Sequence, residues 1–134
     1  MEIADKISLS KVRLEYAKEC FGASKDLLRL ERYKDAASRS YYAIFHAMRA
    51  VLALDGIDRK KHSSVMAEFR RLYIKNKIFP EKMSEMITSL FEIRLNSDYM
   101  DFYILSKKDV VKQLNNAEYF INRVEKYLKG KYKK

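Results

Sequence analysis

Between Ser38 and Leu54 the chain reads SRSYYAIFHAMRAVLAL, a run without glycine or proline in which two different side-chain patterns repeat at helical spacing. Tyr41, Ile44, Phe45, Met48, Val51 and Leu52 fall on one side of such a helix and make a core face. Arg39, Tyr42, His46 and Arg49 fall together on another, and Ala36, Ala43, Ala47 and Ala50 beside them are small enough to let a second helix approach closely. One apolar stripe is all a helix needs to pack into a domain. The ordered row of Arg, Tyr, His and Arg therefore reads as a surface built to meet something.

The same periodicity runs through the rest of the chain, which has only three glycines and one proline and shows no strand-like alternation. The expected fold is all-α, an up-and-down antiparallel four-helix bundle with an additional short helix, in a single domain over residues 1–134. The first helix is expected from about Ser10 to Arg32 with Leu14, Ala17, Phe21, Ser24, Leu27 and Leu28 as its stripe, and the second from about Lys34 to Leu54, where Asp55-Gly56 stops it. A third begins near Ser63 or Ser64, either of which can cap it, and runs to about Lys75. Asn76 to Pro80 connects to a fourth helix carrying Met83, Met86, Ile87, Leu90 and Phe91, with Pro80 suited to its first turn. Ser106 and Asp109 fit a capping box at the start of the last, which buries Val110, Leu114, Ala117, Ile121, Val124 and Leu128.

Charge and cysteine content narrow the function classes. The net charge is +10, but residues 126–134 hold five lysines and no acid, so the excess is concentrated in what reads as a short basic, solvated tail from about residue 129. A lone cysteine, Cys20, permits no internal disulfide, and no Cys/His cluster or HxxxH pattern suggests a metal; a cytoplasmic location is expected. The longest apolar region, Tyr41 to Leu54, is interrupted by His46 and Arg49 and falls short of the roughly 20 residues that cross a bilayer, so no membrane partner is expected. Glycine-rich phosphate loops, Ser/His/Asp triads and paired catalytic carboxylates are absent, and no cofactor is expected.

Two further features could carry chemistry. Arg94 continues the series Met83, Ile87, Leu90, which sets a guanidinium in line with an apolar stripe, and Asp98 follows one turn later. The pair can close the helix end as an internal ion pair, or Asp98 can hold Arg94 so that its planar donors meet a phosphate or carboxylate. Lys61 and His62 lie in a basic cluster, Arg59 to His62, read as a loop beside the two-faced helix. His62 and His46 are the only imidazoles, and Arg39 with His46 are the candidate catalytic residues should the row cleave RNA without a metal: such cleavage needs a base near neutral pKa and a cation for the phosphorane.

SRSYYAIFHAMRAVLAL, the KKHS of Lys60 to Ser63 and the EIRLNSDYMDFY of Glu92 to Tyr103, in that order, resemble the HEPN domain over about Leu14 to Leu128. The similarity is to its stand-alone prokaryotic branch, short proteins often encoded beside a minimal nucleotidyltransferase. The resemblance implies a helical bundle that dimerises around a cleft. Its catalytic members are metal-independent endoribonucleases with an Arg, four to six residues and then a His late in the bundle. That Arg falls on Arg94, but Asp98 to Asp101 read Asp, Tyr, Met, Asp, without the His. In toxin-like members a tyrosine near the motif is modified by the partner; Tyr99 and Tyr103 lie in that neighbourhood.

The sequence is thus read as a homodimeric HEPN-like module that binds a nucleotide or RNA, a partner nucleotidyltransferase, or both, in a toxin–antitoxin-like system. Arg39, Tyr42, His46 and Arg49 with Lys61, His62, Arg94, Asp98 and Tyr99 are its expected ligand-binding or interface residues. The alternative is a metal-independent endoribonuclease toxin.

Overall fold

In a computed structural model describing residues 2–133, the chain is all-α, with no strand among those residues. Its helices are α1 (Ile3–Arg29), α2 (Tyr33–Leu54), α3 (His62–Phe69), α4 (Lys82–Tyr99) and α5 (Lys107–Tyr132), and α3 runs on into a π-helical turn, Arg70–Ile74. The four long helices alternate in direction as an up-and-down bundle, and α3 is the short addition. Helix α2 lies at the centre, touching every other helix.

The seam between α1 and α2 explains the alanines. Ala36, Ala43, Ala47 and Ala50 are fully buried, and α1 meets them with small groups of its own: Ser10, Ala17, Cys20 and Ser24. Small residues on both sides let the two backbones come close, so their contact is extensive while the larger side chains of α2 turn the other way. Tyr41, Ile44, Met48 and Leu52 then pack with Phe69, Met83, Ile87, Leu90, Phe120 and Leu128 as the main core. A second cluster of Ala36, Ala37, Leu105, Val110 and Leu114 closes the end where α2 and α5 begin.

Several boundaries differ from the expectation. Helix α1 starts at Ile3 rather than near Ser10, and stops at Arg29 rather than Arg32 because Glu31 adopts a left-handed conformation (φ 60°). The amides of Glu31 and Arg32 then bond back to Leu28 and Leu27 at 2.9 Å, closing the helix end. Neither Ser63 nor Ser64 caps α3: Lys61 is at the N-cap without a side-chain bond, and both serines lie inside the helix. The start moves upstream because His62 is drawn into the first turn, its ring stacked on Phe45 with centroids 4.1 Å apart. Pro80 precedes α4 instead of joining its first turn, accepting from the Met83 amide at 3.0 Å. At α5 the expected cap is present, Ser106 Oγ accepting from the Asp109 amide at 3.1 Å.

The basic segment read as a solvated tail from about residue 129 is helical as far as Tyr132. Tyr132 ties it down: its hydroxyl lies 2.7 Å from Ser10 Oγ, which donates to the Ala50 carbonyl at 2.7 Å, so α5, α1 and α2 are joined where α2 ends. No helix among the described residues is long and apolar enough to cross a membrane.

Candidate functional site

The polar row of α2 is half-buried rather than fully solvated, because α1 lies along one side of it and α3 and α4 along the other. On the α4 side Arg94 is the organising residue. Its Nη2 donates to the Tyr42 hydroxyl at 2.9 Å, and its guanidinium carbon lies 5.4 Å from the Tyr42 ring centroid and 5.6 Å from that of Tyr41. Asp98 Oδ2 is 3.0 Å from Arg94 Nε, but the N–H is not aimed at it, so the contact is ionic rather than hydrogen-bonded. The cation therefore rests on two aromatic faces and is steadied at both ends. Sequence placed Arg94 and Asp98 one turn apart; the structure adds the bond to α2.

His62 joins from α3. Its Nδ1 lies 2.7 Å from the Tyr41 hydroxyl, and its ring stacks on Phe45 and meets Tyr42 edge-on at 5.8 Å. Burial pushes the Tyr41 phenol above its ordinary pKa, so it keeps its proton and can donate to the imidazole. His62 is itself held below its ordinary value, first by burial and then by the charges of Arg94 and Arg49. The expectation that residues 59–62 form a loop thus fails at His62, which opens α3 and is part of the packed cluster. Lys61 is exposed at the N-cap.

His46 sits between α1 and Tyr42, its ring centroid 4.5 Å from Tyr16 and 6.3 Å from Tyr42. Its pKa falls to about 4, chiefly through burial and further through Arg49, Arg39, Arg13 and His62. The ring is neutral at physiological pH but a feeble base. Arg39 lies over the same Tyr42 ring at 5.8 Å, with Nη2 donating to Cys20 Sγ at 3.1 Å. Burial raises the Cys20 thiol, with Arg39 opposing. Arg39 and His46 thus flank one tyrosine, on a face they share.

Arg49 closes the other end of the row. Its Nη2 and that of Arg13 both donate to Asp58 Oδ1, at 3.2 and 2.9 Å, and these two bonds hold the Asp58 carboxyl below its ordinary range. Arg49 Nε is buried without a hydrogen-bond partner. Tyr99 is not brought into the cluster: it stands 75% exposed at the end of α4. It begins an exposed apolar strip with Met100, Phe102 at 96% and Ile104 at 89%.

Sequence reasoning missed Arg13, Tyr16 and Asp58, and assigned Tyr41 wholly to the core although its hydroxyl meets His62. Arg13 and Tyr16 flank the buried stripe Ser10, Leu14, Ala17 of α1 at i, i+3 spacing, a signal that they edge the α1–α2 seam. The result is a cationic site in which four arginines and two neutral imidazoles outnumber the paired carboxylates Asp58 and Asp98.

The sequence profile of the HEPN domain matches residues 10–127. A UPF0332 protein of Thermotoga maritima is 32% identical over 112 residues, covering 84% of this chain and 85% of that protein. A Methanocaldococcus jannaschii protein named "Putative toxin MJ0142" is 32% identical over 131 residues, covering 98% and 88%. Among solved structures, TT1696 from Thermus thermophilus superposes with a TM-score of 0.74 at 18% identity over 87% of this chain and 96% of that one, a likeness of fold.

Proposed function

The chain belongs to the HEPN domain family, and we propose that within it this protein is a homodimeric binding module whose α2 row and Arg94 grip the phosphates of RNA without cutting them. One observation carries the reading: the Arg94 guanidinium, pinned over Tyr41 and Tyr42 and bonded to the Tyr42 hydroxyl, beside histidines that stay neutral. Such a cation is preorganised for an oxyanion. Arg13, Arg39, Arg49 and Arg94 outnumber Asp58 and Asp98, so the site keeps an excess of positive charge. The strip Tyr99, Met100, Phe102, Ile104 supports dimerisation, since exposed apolar side chains grouped beside a polar site mark a contact surface. In this reading a nucleotidyltransferase is the second member of a two-component system.

Catalysis is disfavoured on physical grounds. A general base works best with a pKa near the working pH, and His46 near 4 is far below it. A second reading, a metal-independent ribonuclease toxin, draws on the name of the Methanocaldococcus jannaschii relative and on His62 and Arg94 converging on the Tyr41 ring. Light scattering, RNA binding and a cleavage gel in chelator separate the two. The proposal expects a dimer that binds single-stranded RNA, leaves it intact and binds weakly after Arg39→Ala with Arg94→Ala. A monomer, or binding untouched by that double substitution, overturns it. Chelator-resistant cleavage abolished by His62→Ala or His46→Ala establishes the second reading instead.

A further inference from the structure

At the far end of the bundle, where α5 ends and α4 begins, lies a concavity of about 470 Å³ that the site above does not use. Its walls are Ile78 and Phe79 from the connector before α4, and Arg123, Lys126, Tyr127 and Lys131 from α5. Rising about 1.5 Å per residue, α4 separates it from Arg94 by on the order of 20 Å. Arg123, Lys126, Tyr127 and Lys131 are spaced to share one face of α5, and Gly130 falls among them. A Cβ on Gly130 would meet nothing within 4 Å, so the glycine opens the mouth of the concavity rather than relieving a clash.

The concavity is net positive. No acid lines the concavity. Of the neighbouring carboxylates, Glu125 is paired with Lys18 and Lys129, and Asp55, beside Tyr127, accepts from the Tyr73 hydroxyl and is the one negative charge set against the three cations. Arg123, Lys126 and Lys131 make no ion pair among the described residues. The floor is aromatic, Tyr127 meeting Phe79 edge-on at 5.3 Å with the Lys131 ammonium 5.5 Å from the Tyr127 ring centroid. Exposed Lys77 and Lys133 add positive charge near the rim.

We propose that this basic, aromatic-floored concavity on α5 is a second binding site, for the backbone and one base of a single-stranded polynucleotide. Cations around a partly exposed ring are the combination that tracks phosphates and stacks a base without reading its sequence. An open groove with lysines extending past it suits a strand rather than a lone mononucleotide. Only the choice of RNA over DNA as probe rests on the function proposed above; the recognition chemistry does not.

The test uses the full-length protein, a labelled twelve-nucleotide oligouridylate and fluorescence anisotropy at several salt concentrations, with uridine monophosphate as competitor. Arg123→Glu, Lys126→Glu and Lys131→Glu together are expected to weaken binding at least tenfold. The salt slope should fall by about 2, as expected for three lost contacts at about 0.7 each. Gly130→Glu, which adds an acid at an unobstructed helical position, should weaken binding severalfold. The charge-matched control Lys25→Glu, Lys108→Glu, Lys112→Glu should leave affinity within about twofold. Equal loss in the control, no effect of the concavity variants, or full competition by uridine monophosphate at equal concentration each overturns the proposal. Combining the concavity variant with Arg94→Ala separates the two sites. Loss from Arg94→Ala alone sinks the concavity and spares the α2 site; loss from the concavity variant alone does the reverse; multiplicative losses support both.

Discussion

Acidification should destabilise the protein through His46, and replacing that histidine should remove much of the effect. The fold holds the imidazole at about 4 against 6.5 for the free side chain, so between those values the unfolded chain binds the proton and the folded one refuses it. Stability is therefore complete above the unfolded pKa and declines as pH falls from 6.5 toward 4. Lowering the pH to about 5 covers 1.5 units of that window, at most about 2 kcal/mol at 1.36 kcal/mol per unit. The ring is only half-buried, and solvent screening reduces this to about 1 kcal/mol. The choice of pH 5 keeps ordinary carboxylates, which titrate near 4, largely out of the measurement. Urea unfolding at about pH 7.5 and pH 5 gives the change for wild type and for His46→Gln, a neutral polar replacement of similar reach. Wild type should lose about 1 kcal/mol more than the variant. Salt should shrink the difference only partly, since burial leads the arginine charges among its causes. Equal losses in the two proteins would refute the reasoning.

Other perturbations probe the frame. Ala47→Leu forces a branched side chain into the α1–α2 seam, where Ala47 is fully buried, and should cost about 1–3 kcal/mol by chemical denaturation. Removing the α5 cap with Ser106→Ala should cost about 1 kcal/mol, while Ser106→Asp should restore most of it. Tyr132→Phe should cost only about 0.5–1 kcal/mol, because Ser10 keeps its bond to the Ala50 carbonyl. Hydrogen exchange should nevertheless show residues 129–132 opening more readily in that variant.

The long helices were legible because each carries an apolar stripe at helical spacing, and in α2 the pattern was clear enough to separate the core face, the polar row and the alanine seam. The start of α1 was read too late: Ile3 and Ile7 keep helical spacing with Ser10 and Leu14, but Ile3 is 74% exposed and Glu2, Ala4 and Asp5 around it are exposed too, so the stripe there is weak. The left-handed turn at Glu31 carries no glycine to announce it. Across the site, periodicity placed Tyr42 and Arg94 each on a face but gave no relative rotation of α2 and α4, which decides whether they bond. His62 was legible as a chemical type and not as a packed residue, because the path from Gly56 to Lys61 follows no pattern that places its ring on Phe45. Tyr132 looked like part of a charged tail; its tie to Ser10 spans nearly the whole chain.

The measurement that bears most directly on the central claim is RNA affinity after Arg94→Lys, at constant salt and with the fold checked by circular dichroism. The substitution keeps the charge and removes the planar fork that lies over Tyr41 and Tyr42 and bonds the Tyr42 hydroxyl. A preorganised phosphate grip predicts affinity at least fivefold weaker, with an unchanged salt slope. Affinity equal to wild type would mean that positive charge alone holds the RNA, and would contradict the role assigned to Arg94.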